Sequence, residues 1–286
     1  IGKENFMREF GAAGIGLPPN SVRAGFGDSL DGSMLLIEES YMSKRAANYA
    51  EYLVIHELGH ALGLGHPFHK YDISPHHSFG SDNQQGSLSH DNFIYTSMAY
   101  NFKGNPYFNT HNSTFMTDDI KALQYLYGTN SSFSSGDNKY IYSDFSRDTS
   151  AFIKSIYDAG GTDEFDFTDQ FFAVNGEFGS NKFLLLDGYS PNGTLTASDI
   201  DTANSSEILS MNPYEGIIGI PNISIEGYLG SRGNDEVTGT DGVNYMFGGF
   251  GPNSQDILAG GSGVDTFILA ATNFSIEKSK CDVISD

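Results

Sequence analysis

Apolar residues in the first half of the chain recur at a helical period in two places. Across 43–64, Ala46, Ala50, Leu53, Val54, Leu58, Ala61 and Leu62 return at steps of three and four. Ser43 is placed to cap that helix, and Gly63 with Gly65 to stop it. "TDDIKALQYLYG" predicts a second helix. Thr117 is its expected N-cap, Asp118 and Asp119 suit its positive end, Ile120, Leu123 and Tyr127 form an apolar stripe, and Gly128 ends it. Upstream, "SMLLIEES" (33–40) reads as a short strand. After Gly128 the pattern changes. The Ser/Asn/Gly-rich "TNSSFSSGDN" reads as a linker, and short β-type runs such as "YIYSDF", "AFIKSIY" and "FLLLDGY" then alternate with turn residues. A domain boundary falls near 130, giving an α+β domain over 1–129 and an all-β domain over 130–286.

The all-β part carries an internal repeat. Cut at its glycines it reads "GSRGNDEVT", "GTDGVNYMF", "GGFGPNSQDILA" and "GGSGVDTFI", with Val237, Met246, Leu258 and Phe267 near the unit ends. The pattern is that of calcium-binding β-helix repeats, G-G-x-G-x-D-x-U-x, in which each unit gives a turn and a short strand. Glycines let the turn bend and expose carbonyls, while the aspartate adds a hard anionic oxygen for Ca²⁺. Candidate calcium ligands are Asp235, Asp265 and, after the insertion in the third unit, Asp256, with Gly230, Gly233, Gly248, Gly251, Gly260 and Gly263 in the turns. Asn244 stands at the aspartate position of the second unit and would weaken its site. The array is short and degenerate, so about two to four calcium ions are expected. A glycine-rich loop region without metal is the competing interpretation.

Charge agrees with cation binding. The 286 residues include 36 Asp plus Glu against 15 Lys plus Arg, a formal net charge of −21. Nucleic acid would be repelled. No apolar run approaches the ~18 residues of a membrane span. Aromatic residues make up 13% of the chain, which argues against disorder. With Cys281 alone, no intrachain disulfide can form, and metal ions could take the place of disulfides in an exported chain.

The densest chemistry lies in "HELGHALGLGHP" (56–67). On a helix, His56 and His60 leave one face, a spacing suited to two nitrogen ligands of a tetrahedral Zn²⁺ with an open position. Glu57 points to the side of that pair, placed to take a proton from water rather than to ligate. Gly63 allows a sharp turn, and His66 can fold back as the third ligand. Five fixed positions at roughly 5% usage each make a chance match rare, on the order of one in a million per start point. His69, His76, His77, His90 and His111 read as polar-loop residues.

The motif H-E-x-x-H-x-x-G-x-x-H resembles that of the metzincin zinc endopeptidases. The resemblance implies a methionine turn downstream, and Met98 in "YTSMAYN" fits; alone that stretch would suit an ordinary core methionine, but beside the zinc motif the turn is favoured. Pro67 after His66, and Tyr100 two residues after Met98, narrow the resemblance to the serralysins, which end in a calcium-binding RTX-type β-roll. "DDIKALQYLYG" is similar to the helix closing their catalytic domain, and "DAGGTDEFDF" (158–167) to the entry of the roll. The resemblance implies an α+β metzincin catalytic domain followed by an all-β parallel β-roll. It implies one catalytic zinc held by His56, His60 and His66, with Tyr100 as a resting ligand that later binds the oxyanion, Glu57 as general base, and several structural calcium ions. Protein or peptide substrates are implied, docked along an edge near 34–38, and a proteinaceous inhibitor is admitted as a partner. A monomeric, secreted enzyme is expected, exported from bacteria without a cleaved N-terminal signal. The family pattern extends further at both ends, so both domains are expected to be incomplete here. A non-catalytic RTX-type calcium-binding adhesion or toxin module with a vestigial zinc site is the alternative.

Overall fold

The computed structural model describes residues 13–19, 33–39, 47–67, 90–100, 111–142, 152–187, 216–221, 223–251, 254–269 and 283–285. The chain divides into two compact units at the Gly128–Thr129 junction. Ser43, His69, His76 and His77 fall outside the described residues.

In the first unit, β1 (Gly14–Leu17) pairs antiparallel with β2 (Met34–Ile37), with Gly14 opposite Ile37 and Leu17 opposite Met34. Helix α1 spans Ala47–Ala61 and α2 spans Thr117–Tyr127. Gly63 turns the chain out of α1 with φ +95°, a left-handed backbone that costs glycine least. Its N–H donates to His60 O at 2.9 Å, and Leu64 N–H to Gly59 O at 2.9 Å. These bonds satisfy carbonyls that the end of the helix would leave orphaned.

Helix α2 departs from the sequence expectation twice. Thr117 is its first helical residue, and the cap position belongs to Met116, whose N–H donates to the Asp119 carboxylate at 2.9 Å. The expected stripe is also displaced. Tyr127 is exposed, its hydroxyl donating to Leu62 O at 2.8 Å, and the residues α2 buries are Thr117, Asp119 and Ala122. Asp119 therefore serves as more than a charge at the helix start. A small core joins Leu64, Met98 and Ala122, with Phe115 and Leu123 against it.

The second unit is built from two sheets. One is five-stranded and entirely parallel, in the order β13 (Thr266–Ile268), β11 (Tyr245–Phe247), β9 (Gly227–Leu229), β5 (Glu164–Asp166) and β3 (Lys139–Ile141). The other is seven-stranded and mixed, in the order β14 (Val283–Ser285), β12 (Ile257–Ala259), β10 (Glu236–Thr238), β6 (Ala173–Glu177), β7 (Lys182–Asp187), β8 (Gly216–Ile220) and β4 (Phe152–Ser155). In it β6, β10, β12 and β14 run parallel, and β7 is antiparallel to both its neighbours. From β9 onward, successive strands alternate between the two sheets, and the four glycine-rich units supply one strand each, β10 to β13. The register stacks Tyr228, Met246 and Phe267 in one sheet, and Val237, Leu258 and Ile284 in the other. Tyr228, Met246, Val237 and Leu258, with Phe267 packed against them, meet Phe165, Phe167, Val174, Leu184 and Ile218 in one core, while Ile284 on the last strand is exposed. Burial of each such side chain contributes about 2 kcal/mol.

Candidate functional site

Helix α1 presents His56 and His60 on one face, and the turn at Gly63 returns His66 to them. The Nε2 atoms of His56 and His66 lie 3.2 Å apart, and those of His60 and His66 3.1 Å apart. The three candidate ligand atoms all lie within 4.8 Å of one another. In a tetrahedral zinc site with Zn–N near 2.0–2.1 Å, ligand nitrogens are separated by about 3.3 Å. The triad thus has the shape that a small divalent ion requires.

The other ring nitrogens fix the tautomers. His56 Nδ1 donates to Ser97 O at 2.7 Å, and His60 Nδ1 to Leu64 O at 2.8 Å. With Nδ1 carrying the proton, both rings turn an Nε2 lone pair towards the common centre. Unscreened lone pairs at such distances repel, and a cation between them removes that cost. His56 is buried, and burial together with the His60 charge pushes it down to about 3, partly offset by the Ser97 carbonyl.

Glu57 is buried beside the triad, and burial pushes its carboxyl up to about 7, opposed by a hydrogen bond from Gly16 N–H. Strand β1 lies directly on this residue. A Cβ built at Gly14 would fall 2.4 Å from Glu57 Cγ, and one at Gly16 1.8 Å from Glu57 O. Two glycines at alternate positions of one strand let the backbone approach so closely. Strand β1 therefore lies against Glu57, and β2, the edge expected to receive substrate, pairs with it.

Tyr100 completes the cluster. Its ring centroid is 5.2 Å from His56 in a stacked arrangement and 4.5 Å from His66. Burial and the Glu57 charge push its phenol up to about 12. Met98, 1% exposed, sits beneath α1, where a Cβ on Gly59 would meet its sulfur at 2.5 Å. That glycine lies inside the histidine motif and makes room for Met98.

Three supporting residues were not recognised from the sequence. Tyr52, on the turn before His56, donates to Ala99 O at 3.1 Å. His111 lies in a loop, as expected, but its ring packs 5.1 Å from Tyr49 and 5.2 Å from Tyr52. Asp119 is fully buried and accepts from Thr96 Oγ1 (2.5 Å), Ser97 N–H (2.6 Å), Ser97 Oγ (2.7 Å) and Met116 N–H (2.9 Å). No sequence signal separates such an acid from an ordinary helix-start aspartate. His90 pairs with Asp118 at 2.6 Å and stacks on Tyr95.

In the second unit the glycine repeat is regular at the atomic level. A Cβ on the first glycine of each unit would strike that unit's own Asp or Asn: Gly230 against Asp235, Gly239 against Asn244, Gly248 against Asp256 and Gly260 against Asp265. Gly233, Gly251 and Gly263 would meet backbone at 2.5 Å, 2.5 Å and 2.4 Å. The acids also join neighbouring coils, since Asp256 Oδ1 accepts Asp235 N–H at 3.0 Å and Asp265 Oδ1 accepts Asn244 N–H at 2.8 Å.

The carboxylates differ in what remains for a cation. Asp235 accepts four bonds, from Val174 N–H, Ser231 N–H, Ser231 Oγ and Tyr228 Oη, so both its oxygens are spent. Asp265 Oδ2 is buried and has no partner among the described residues. The same holds for Asp163 Oδ2, which lies outside the repeat in a cluster of acids. There Asn138 N–H donates to Asp163 Oδ1 at 2.8 Å, Asp163 N–H donates to Glu226 at 2.9 Å, and Tyr140 and Gly160 donate to Asp158. Burial, with the charges of Asp158, Glu226 and Asp137, pushes Asp163 up to about 6.

No family model matches the chain. It is similar to curated metalloproteases: Serralysin C of Dickeya chrysanthemi is 31% identical over 206 residues, covering 65% of this chain and 36% of that protein. Serralysin of Proteus mirabilis is 28% identical over 77% of this chain and 42% of its own length. Metalloprotease AprA of Pseudomonas entomophila is 28% identical over 75% of this chain and 42% of its own. The chain thus spans less than half the length of these relatives. The histidine triad and these similarities make the chain metzincin-like. Within that class it is serralysin-like.

Proposed function

We propose that this chain is the core of a secreted zinc endopeptidase that hydrolyses peptide bonds of extracellular proteins. The observation that carries this is the convergence of three imidazole Nε2 atoms at 3.1 and 3.2 Å beside a buried carboxylate. His56, His60 and His66 would hold the ion, with Tyr100 close enough to join them. When bound, zinc supplies Lewis-acid polarisation of a carbonyl and makes a water acidic enough to lose its proton near neutral pH. Glu57 takes that proton on a carboxylate oxygen and returns it to the departing amine nitrogen. The Tyr100 hydroxyl donates to the oxyanion of the tetrahedral adduct. An extended peptide adds as a strand beside β1, which lies against Glu57, so recognition uses backbone more than side chains and specificity is broad.

The second unit is proposed to be a calcium-holding β-roll. Supporting this are the alternation of strands between two sheets, the contact of each leading glycine with its unit's Asp or Asn, and the partnerless oxygens of Asp265 and Asp163. Among the repeat acids, Asp256 and Asp265 are the stronger candidates, because Asp235 is hydrogen-bonded on both oxygens. Among the described residues no helix is long and apolar enough to cross a membrane. A monomer exported by bacteria without a cleaved N-terminal signal accords with the family resemblance.

The deciding experiment compares the wild-type chain with Glu57→Gln on casein, with bound zinc measured in parallel. The variant is expected to keep its zinc and lose cleavage. Casein cleavage at the wild-type rate by Glu57→Gln would refute the mechanism.

A further inference from the structure

We infer that Asp119 is a positioning residue for the histidine site, acting through Ser97 on His56. The inference rests on the zinc reading above. Asp119 is 0% exposed and lies at the start of α2, away from the triad in sequence. Its Oδ2 accepts Ser97 N–H, Ser97 Oγ and Met116 N–H, while Oδ1 accepts Thr96 Oγ1. Thr96 Oγ1 in turn accepts Met98 N–H at 3.0 Å. One carboxylate thus holds three consecutive residues of the turn, two directly and one through a hydroxyl. That turn offers the Ser97 carbonyl to His56 Nδ1 at 2.7 Å.

A buried carboxylate is costly unless its lone pairs are filled, and here four donors fill them. The reward is a carbonyl held in place. His56 can rotate only about its side-chain bonds, and a fixed acceptor at Nδ1 sets both its tautomer and the direction of its Nε2 lone pair. Tyr52, whose hydroxyl donates to Ala99 O at 3.1 Å, braces the other end of the same turn. The carboxylate of Asp118, the neighbouring acid, pairs instead with His90 and Lys121.

The test is a titration of the metal-free full chain with Co²⁺, read by its d–d absorption, followed by competition with Zn²⁺. Asp119→Ala is expected to weaken metal binding 10- to 100-fold, the usual range for partners behind a metal ligand, and to alter the d–d band. Asp119→Asn can keep an oxygen facing the Ser97 and Met116 amides and is expected to recover most of the loss. Asp118→Asn should leave affinity and spectrum at wild-type values. If far-UV dichroism shows that Asp119→Ala does not fold, Ser97→Ala decides, with an expected loss of about tenfold. Wild-type affinity and spectrum in whichever variant decides would overturn the inference. A wild-type chain that binds no cobalt would overturn the metal reading itself, and this inference with it.

Discussion

The backbone N–H of Gly16 donates to the carboxylate of Glu57, so a strand remote in sequence from the histidine motif holds its glutamate. A side chain at position 16 is excluded, because its Cβ would lie 1.8 Å from Glu57 O and 2.8 Å from His60 Cβ. Gly16→Ala must therefore move β1 off the helix. Peptide hydrolysis, followed with a fluorogenic substrate, is expected to fall about 10- to 100-fold while bound zinc stays constant, since misplacement by about 1 Å costs that much. An unchanged rate would show that β1 does not hold the glutamate.

His66 reaches the triad only because Gly63 bends the chain, so its loss should remove an ion without unfolding α1. His66→Ala is expected to weaken zinc binding more than about 100-fold, beyond the range seen for residues that merely support a ligand. Competition with a chromophoric chelator measures this. Helical dichroism should remain at the wild-type level.

Burial holds the carboxyls of Asp235 and Asp163 up at about 6 in the folded chain. Unfolded, they titrate near 3.9. A folded value above the unfolded one gives stabilisation that is complete below about pH 3.9 and is lost as pH rises through about 6. With chelator present, the contribution of these groups to the second unit is expected to be larger at pH 5 than at pH 7.5. Thermal scans with chelator on the wild-type chain and on Asp163→Asn should diverge across that interval. Added calcium should raise the wild-type midpoint most at the higher pH.

Tyr228 and Asp235 are both almost fully buried, and the Tyr228 hydroxyl donates to Asp235 Oδ2 at 2.9 Å. Tyr228→Phe keeps the ring and removes one donor from a buried carboxylate, at a cost of about 1–3 kcal/mol. Urea unfolding monitored in the second unit should report a lower midpoint with an unchanged slope.

What the sequence made legible was periodic or local. The spacing of His56 and His60, the bend at Gly63, and the strands ending near Val237, Met246 and Leu258 follow from helical and strand repeats that local sterics enforce. Hidden from it were contacts between distant segments. Gly14 and Gly16 look like loop glycines until Glu57 is placed beneath them. Asp119 has the position of a dipole-compensating acid, and only the approach of Thr96 and Ser97 shows that it is a buried anchor. Asp235 fits the ligand slot of its repeat, yet Tyr228 and Val174 claim its oxygens. Residue type gives chemical capacity, whereas long-range packing decides how that capacity is used.

Asp265 clasps the amide of Asn244, and Asp256 that of Asp235, so each acid secures a residue two units behind its own. Damage at one of these rungs should consequently surface upstream. An exchange probe would register Asp265→Ala first as faster hydrogen exchange at Asn244, with the lesion travelling backwards against the direction of synthesis.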